Sequence, residues 1–328
     1  MRLETVCIIG GGAWGTALAQ AAAMAGRQVT LVARDPARVE EINNRHTNSS
    51  ALGAQPLHAA IRASANAVPA DFYILAVPAQ ASRGVLAGLD PALLAGRPVV
   101  LSAKGLETGS LQRQSEILAD MAPEAIPFVL SGPSFAADVA AGRPTAVTLA
   151  GDDASLTSEI ASALAGPGLR PYAADDRIGV EIAGALKNVY ALACGAVEGA
   201  GLGASARSAL IARGYAEMAR LVAAMGGSAT TLTGLAGLGD LTLTCTSVQS
   251  RNYQFGMALG RGRSVAAILA GGAPLAEGIA TTPVAAALAK SLGVDVPLVD
   301  AIEAVLSGRA DIATVVAGLM SRPLKREV

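Results

Sequence analysis

The apolar run Val6-Cys-Ile-Ile9 is followed at once by Gly10-Gly11-Gly12-Ala13-Trp14-Gly15 and an Ala-rich stretch from Thr16 to Met24 that stops at Gly26. This is a strand, a G-x-G-x-x-G turn and a helix, in the order of a βαβ dinucleotide-binding unit. Gly10 allows the tight turn, Gly12 lets the backbone approach a pyrophosphate, and Gly15 lets the helix pack on the strand. The helix start then offers its unpaired N–H groups to the phosphates. A bare glycine motif is weak, but with both flanks in place it predicts nucleotide binding over a purely structural turn.

The rest of the first half extends that unit. Val29-Thr-Leu-Val-Ala33 reads as the second strand and ends at Arg34-Asp35. An acidic residue there holds ribose hydroxyls and an arginine pairs a 2′-phosphate, so NADP is expected to be accepted alongside NAD. Asp35 equally suits a helix cap ahead of Pro36. Phe72–Ala76, Pro98–Leu101 and Phe128–Leu130 are further apolar runs. They lead into Val77-Pro78-Ala79-Gln80, Ser102-Ala103-Lys104-Gly105 and Ser131-Gly132-Pro133-Ser134-Phe135-Ala136. Helical patterns between them predict a Rossmann-like, doubly wound α/β sheet of parallel strands, with ligands bound outside the carboxyl ends. Lys104, Gly132 and Ser134 fall at those ends. Gly132 and Ser134 suit an oxyanion or phosphate, and Ser134 also suits a helix N-cap. Thr145–Leu149 and Leu169–Tyr172 read as last strands around a helix near 155–165. A polar break at 173–177 divides a dinucleotide-binding domain, 1–177, from an all-helical domain, 178–328.

In the second half, Glu181–Gly195 is a helical run of small apolar residues around Lys187-Asn188. An ammonium in such a run either snorkels to the surface or faces a cavity that needs an amine. The chain has 25 basic residues, of which four are lysines (104, 187, 290 and 325) and 21 arginines. Arginine stays charged, whereas a lysine pKa can be moved towards neutrality and used for proton transfer. That singles out Lys104 and Lys187, with Lys290 and Lys325 read as surface-helix and tail residues. Asp240 ends a glycine-rich loop from Thr233, as a turn residue or as the carboxylate that orients a buried lysine. Ser250-Arg251-Asn252 opens a short helix to about Leu259, a site for a phosphate or a plain N-cap with a surface arginine. Further helices are expected at about 206–225, 276–292 and 298–308.

Other functions are disfavoured. A net charge of −1 argues against nucleic-acid or anionic-membrane partners. The apolar windows are broken well before about 18 residues, so no membrane insertion is expected, and Glu4 interrupts any signal peptide. Cys7, Cys194 and Cys245 lack CxxC spacing, so neither a disulfide framework nor a metal site is expected, which fits a reducing cytoplasm. The two histidines, His46 and His58, lie far from the helical half. No GxSxG, HExxH or P-loop is present, so lysines and carboxylates remain as general acid–base groups.

Several blocks stand in one order along nearly the whole chain. They are Gly10-Gly-Gly-Ala-Trp-Gly-Thr-Ala-Leu18, Ala76-Val-Pro78, Ser102-Ala-Lys-Gly-Leu-Glu107, Ser131-Gly-Pro-Ser-Phe-Ala136 and Gly184-Ala-Leu-Lys-Asn188. Gly234-Leu-Ala-Gly-Leu-Gly-Asp240, Thr244-Cys-Thr-Ser247, Ser250-Arg-Asn252 and Ala276-Glu-Gly278 follow. Together they resemble bacterial-type NAD(P)-dependent glycerol-3-phosphate dehydrogenase. The resemblance implies reversible reduction of dihydroxyacetone phosphate to sn-glycerol 3-phosphate, feeding phospholipid synthesis. It makes Lys187 the proton-exchanging residue, with Lys104 and Asp240 beside it. Lys104, Gly132, Ser134, Lys187, Asp240, Ser250, Arg251 and Asn252 would surround the substrate. Trp14, Arg34, Lys104, Ala136, Arg251, Leu275 and Glu277 would touch the cofactor, with Gly10, Gly12 and Gly15 beneath it. The chain departs from the family at Asp138, Ala204-Ser205 and Glu198. The nearest rival is a β-hydroxyacid or 6-phosphogluconate-type dehydrogenase; a non-catalytic dinucleotide sensor is the rival of another class. An Ala/Gly-rich helical domain also admits a homodimer.

Overall fold

Strand β1 (Thr5–Ile9) runs through the glycine turn into α1 (Ala13–Met24), as the motif predicts, in a computed structural model that describes residues 3–324 and 326. The strands, helices and unpartnered groups are those of the described residues. The other strands are β2 (Gln28–Val32), β3 (Ile61–Ser64), β4 (Phe72–Leu75), β5 (Pro98–Leu101), β6 (Ile126–Ser131), β7 (Thr145–Gly151) and β8 (Leu169–Ala174). They form one sheet in the order β3-β2-β1-β4-β5-β6-β7-β8. The order reverses between β1 and β4, and a crevice opens there at the carboxyl ends of the strands. All four residues of β4 and of β5 are buried, as continuous apolar strands are when helices cover both sheet faces. Those helices are α2 (Pro36–Arg45), α3 (Ser49–Leu52), α4 (Ser82–Ala87), α5 (Pro91–Leu94), α6 (Gln114–Met121), α7 (Ala136–Ala140) and α8 (Ala154–Leu164).

The sheet is not parallel throughout. β6 and β7 pair antiparallel, with Ser131 opposite Thr148. The connection carries only the five residues of α7, about 7.5 Å of helix. That is too short to return along a six-residue strand of roughly 20 Å, so the chain reverses instead. The chain also folds β3 out of Ile61-Arg-Ala-Ser64, which the apolar pattern did not reveal. One fully buried residue there, Ile61, suffices for an edge strand paired on β2.

After β8 the chain is helical. α9 (Arg177–Gly199) is followed by α10 (Ala204–Ala224), α11 (Asp240–Thr246), α12 (Arg251–Gly260), α13 (Val265–Ala270), α14 (Glu277–Ser291), α15 (Pro297–Leu306) and α16 (Ile312–Met320). By length and composition α9 is apolar enough to cross a membrane, yet that whole window is buried inside the protein. It is the central helix, and α10, α11, α12 and α14 pack around it. The crossing with α12 is unusually close. A Cβ on Gly195 would stand 2.1 Å from Tyr253 O, and one on Gly256 would stand 2.1 Å from Leu192 O. Gly199 and Gly260, one turn on, are as tightly apposed, at 2.2 Å from Met257 O and Ala196 O. Only glycine permits this approach, and it brings the start of α12 beside the middle of α9.

Candidate active site

Lys187 does not snorkel. It lies 6% exposed in the middle of α9, and its Nζ donates to Asp240 Oδ1. The second oxygen of Asp240 accepts from Lys104 Nζ at 2.8 Å, and Lys104 also donates to Gly132 O at 3.0 Å. One fully buried carboxylate is thus shared between two ammonium groups. The charges explain the acidities. Burial, reinforced by the charge of Lys104, lowers the Lys187 pKa to about 7 although Asp240 pulls it up. Burial pushes Asp240 upward, but Lys104 and Lys187 together carry it below the ordinary carboxylate value. A buried amine that titrates near neutrality can both give and take a proton under ordinary conditions.

Asp240 is the first residue of α11 and not the end of a loop, contrary to the sequence reading. Leu235–Gly239 forms a π-helical turn that continues directly into α11. Its glycines looked like loop residues, whereas Gly237 is required because a Cβ there would lie 2.1 Å from Leu232 O. Recognised as helix, the segment would have revealed Thr244 at the i+4 position, whose Oγ1 donates to Asp240 Oδ1 at 3.2 Å.

A chain of amides joins the lysines to the start of α12. Asn188 Nδ2 donates to Lys104 O at 2.8 Å, and Asn252 Nδ2 donates to Asn188 Oδ1 at 2.8 Å. Gly278 N closes the chain on Asn252 Oδ1 at 2.9 Å. Ser250 caps α12 through Tyr253 N, so its hydroxyl serves the helix, while exposed Arg251 lines the cavity above it. Ser134 also lines the cavity and donates to Gly132 O at 2.9 Å, so it is not the N-cap of α7, a position held by Phe135.

The cavity encloses about 460 Å³ and runs from the glycine turn, past Trp14, Ala136 and Lys104, to Lys187, Arg251 and Asn252. Its glycine end fits a dinucleotide. A Cβ on Gly10 would lie 2.4 Å from Ala76 O, and one on Gly15 would lie 1.9 Å from Gly10 O, so both are needed for the turn itself. Gly12 by contrast faces open space within 4 Å, as a pyrophosphate requires. Trp14 Nε1 is buried there without a hydrogen-bond partner. Glu277 lines the cavity and accepts from Ala79 N at 3.0 Å; burial raises its pKa against the pull of Arg251 and the two lysines. Leu275 sits at the mouth, 54% exposed. Arg34 is not brought into the cavity: it lies exposed just past β2, while Asp35 caps α2 by accepting from Ala37 N at 3.0 Å. Exposed Lys290 lies in α14, and Lys325 falls outside the described residues. Cys7, Cys194 and Cys245 are free and buried.

Two family models match the chain, that for the NAD-dependent glycerol-3-phosphate dehydrogenase N-terminus over residues 5–157 and that for its C-terminus over 176–317. Curated relatives include the glycerol-3-phosphate dehydrogenase (NAD(P)+) of Caulobacter vibrioides, 48% identical over 330 residues and covering 100% of both chains. The enzyme of the same name from Methylobacterium radiotolerans is 49% identical, over 100% of this chain and 99% of its own. Among solved structures, glycerol-3-phosphate dehydrogenase from Coxiella burnetii superposes with a TM-score of 0.90 at 36% identity, over 98% of this chain and 99% of its own. D-Mandelate dehydrogenase with NADH shares the fold at 15% identity and a TM-score of 0.62, over 93% of this chain and 98% of its own.

Proposed function

The chain belongs to the NAD-dependent glycerol-3-phosphate dehydrogenase family, and from that premise we propose that it reversibly reduces dihydroxyacetone phosphate to sn-glycerol 3-phosphate with NADPH or NADH. The observation that carries the reading is the buried Lys187–Asp240–Lys104 arrangement at the floor of a cavity whose rim bears Arg251. When bound over Gly10, Gly12, Trp14 and Gly15, the dihydronicotinamide would supply a hydride for the carbonyl carbon. Lys187 donates its proton to the alkoxide oxygen that develops at that carbon, and as the free amine it takes the proton back in the reverse direction. Lys104 adds positive charge where that oxygen becomes negative. Asp240 holds both ammonium groups in place. Arg251, Asn252 and the N-terminus of α12 hold the phosphate, which fixes the distance from carbonyl to Lys187.

The same reading places the division of labour near residue 177, between the cofactor-binding sheet and the substrate-binding helices. It assigns the product to glycerophospholipid synthesis in the cytoplasm. A homodimer belongs to it as well, with the apolar helix α16, none of whose residues is buried, as its simplest contact.

Oxidation of NADPH followed at 340 nm tests the substrate class. Dihydroxyacetone phosphate should be turned over and unphosphorylated dihydroxyacetone should not. Arg251→Ala should raise KM for the phosphate ester by roughly 10- to 100-fold, the loss of a charge-assisted contact. Equal turnover of unphosphorylated ketones or hydroxy acids would reject the phosphate clamp and favour a β-hydroxyacid dehydrogenase.

A further inference from the structure

Both lysines are tied to one place in the sheet half, the start of α6. Gln114 is 1% exposed, and its Nε2 donates to Gly105 O at 3.1 Å, the carbonyl next to Lys104. The neighbouring Ser115 gives its N–H at 2.8 Å and its hydroxyl at 2.7 Å to the two oxygens of Glu181. Glu181 is buried on α9, six residues before Lys187, and Arg113 Nη1 stands 3.4 Å from it as the counter-charge. From the opposite side Asn188 holds Lys104 O. Two consecutive carbonyls of the Lys104 loop are therefore each gripped by a buried amide side chain, one from α6 and one from α9.

Ending a helix does not require this. Glu181 caps α6 by accepting from Ser115 N, but a local Ser or Asp would satisfy that one donor as well, whereas here the carboxylate is buried from another part of the fold and Gln114 Oε1 is left without a partner. None of Gln114, Ser115 and Glu181 lines the cavity. What they share is the separation of α9 from the Lys104 loop. That separation is tight: a Cβ on Gly184 would lie 2.8 Å from Ser131 Oγ and 3.6 Å from Lys104 Cγ. Any slide of α9 would therefore alter the distance between the two lysines.

We propose that Gln114 and the Ser115–Glu181 pair are positioning residues that fix the Lys104 loop and α9 to a common origin, and so set the spacing of Lys104, Asp240 and Lys187. The proposal rests on Lys187 being the proton-transfer group. The groups facing Lys187 are Asp240 from α11, Lys104 from the loop after β5, Glu277 at the start of α14 and the Cys245 thiol. Loosening the brace lets Lys104 draw back. Its repulsion then weakens, Asp240 is left more to Lys187, and water gains access. All three effects move the Lys187 pKa upward.

With only four lysines in the chain, protein labelled with 13C at lysine Cε gives few signals, and that of Lys187 is assigned by its loss in Lys187→Met. In the wild type it should titrate near 7. Gln114→Met keeps the length of the side chain and removes the amide with its bond to Gly105 O, and Ser115→Ala removes only one hydroxyl bond. Each should raise the midpoint by roughly half a unit or more, and each should lower kcat about tenfold. NADPH affinity should stay within about twofold, since neither side chain lines the cavity. An unmoved midpoint in both variants overturns the proposal. This holds whether they retain wild-type kcat or merely lose folded protein, as a purely structural role would give. A wild-type Lys187 that titrates in the ordinary lysine range instead rejects the assignment of the proton-transfer group.

Discussion

Replacing Asp240 by Asn removes the single carboxylate between two ammonium groups without changing its shape. At an effective dielectric of about 20, an ion pair at the 2.8 Å separation of Lys104 and Asp240 is worth about 6 kcal/mol before desolvation. Lys187 loses a comparable partner and keeps both the burial and the Lys104 charge that lower its pKa. The sign follows directly: Asp240 raises the pKa of Lys187, so its removal lowers that pKa below about 7. In the proposed mechanism reduction needs the ammonium form, which exists below the pKa, so the high-pH limb of kcat should move to lower pH. A fall of one unit would cut the protonated fraction at pH 7 from about one half to about one tenth, a roughly fivefold loss at that pH from charge state alone. Breaking one partner out of a buried pair destabilises by about 3–5 kcal/mol, and here the loss should be smaller because Lys187 can shed its proton. Steady-state kcat from pH 5.5 to 9 at saturating NADPH and dihydroxyacetone phosphate, beside urea midpoints at the same pH values, measures both effects. A limb at the wild-type pH or above it would mean that Asp240 does not raise the Lys187 pKa.

Other variants probe the cofactor end, the α9–α12 crossing and a buried carboxyl far from the site. If the exposed Arg34 pairs a 2′-phosphate outside the cavity, Arg34→Ala should lower kcat/KM with NADPH by about 10-fold or more and leave NADH within about twofold; equal losses with both cofactors would contradict this. Gly256→Ala would place a methyl group 2.1 Å from Leu192 O, so α12 must move away from α9. We expect about 1–3 kcal/mol of destabilisation in urea and a KM for dihydroxyacetone phosphate that rises more than the KM for NADPH. Glu217, 2% exposed on α10, accepts from Leu298 N at 2.7 Å and Val299 N at 3.3 Å at the start of α15. Burial nevertheless raises its pKa from 4.5 to about 7. A carboxyl whose folded pKa is raised contributes stability below its unfolded pKa and loses it as pH rises towards the folded one. Stability should therefore fall by about 3 kcal/mol between about pH 4.5 and 7, and Glu217→Gln should flatten that slope in urea melts at pH 5 and 8. An unchanged slope would place the pH dependence elsewhere.

Much of the fold could be read from periodicity and punctuation. Continuous apolar strands, the glycine turn and the Ala-rich helix follow from local chemistry, so β1, α1, β4 and β5 were predicted near their observed limits. The antiparallel step from β6 to β7 was not, because strand direction depends on the length of the connecting helix, and α7 is only five residues long. α13 and α16 were missed because, at six and nine residues, they are too short to show a helical repeat over several turns. In the site, scarcity identified Lys104 and Lys187, since lysine stands out in a chain that otherwise uses arginine. What the chain order could not reveal was their shared carboxylate. Asp240 lies 53 residues beyond Lys187 and 136 beyond Lys104, and only the packing of α11 on α9 brings them together. The same holds for Asn188: its amide bridges Lys104 O and Asn252, a role visible only once α9, α12 and the Lys104 loop converge.

If the Lys187 ammonium moves the proton, Lys187→Arg should stop the reaction while leaving a positive charge in place. Arginine keeps the charge but stays protonated and cannot exchange at neutral pH. The chain's single tryptophan, Trp14, lines the same cavity, so its fluorescence reports cofactor binding independently of turnover. In Lys187→Arg, NADPH affinity should stay within about threefold of wild type while kcat for dihydroxyacetone phosphate falls by about 10²–10⁴. A kcat within about tenfold of wild type, with cofactor bound, would contradict it.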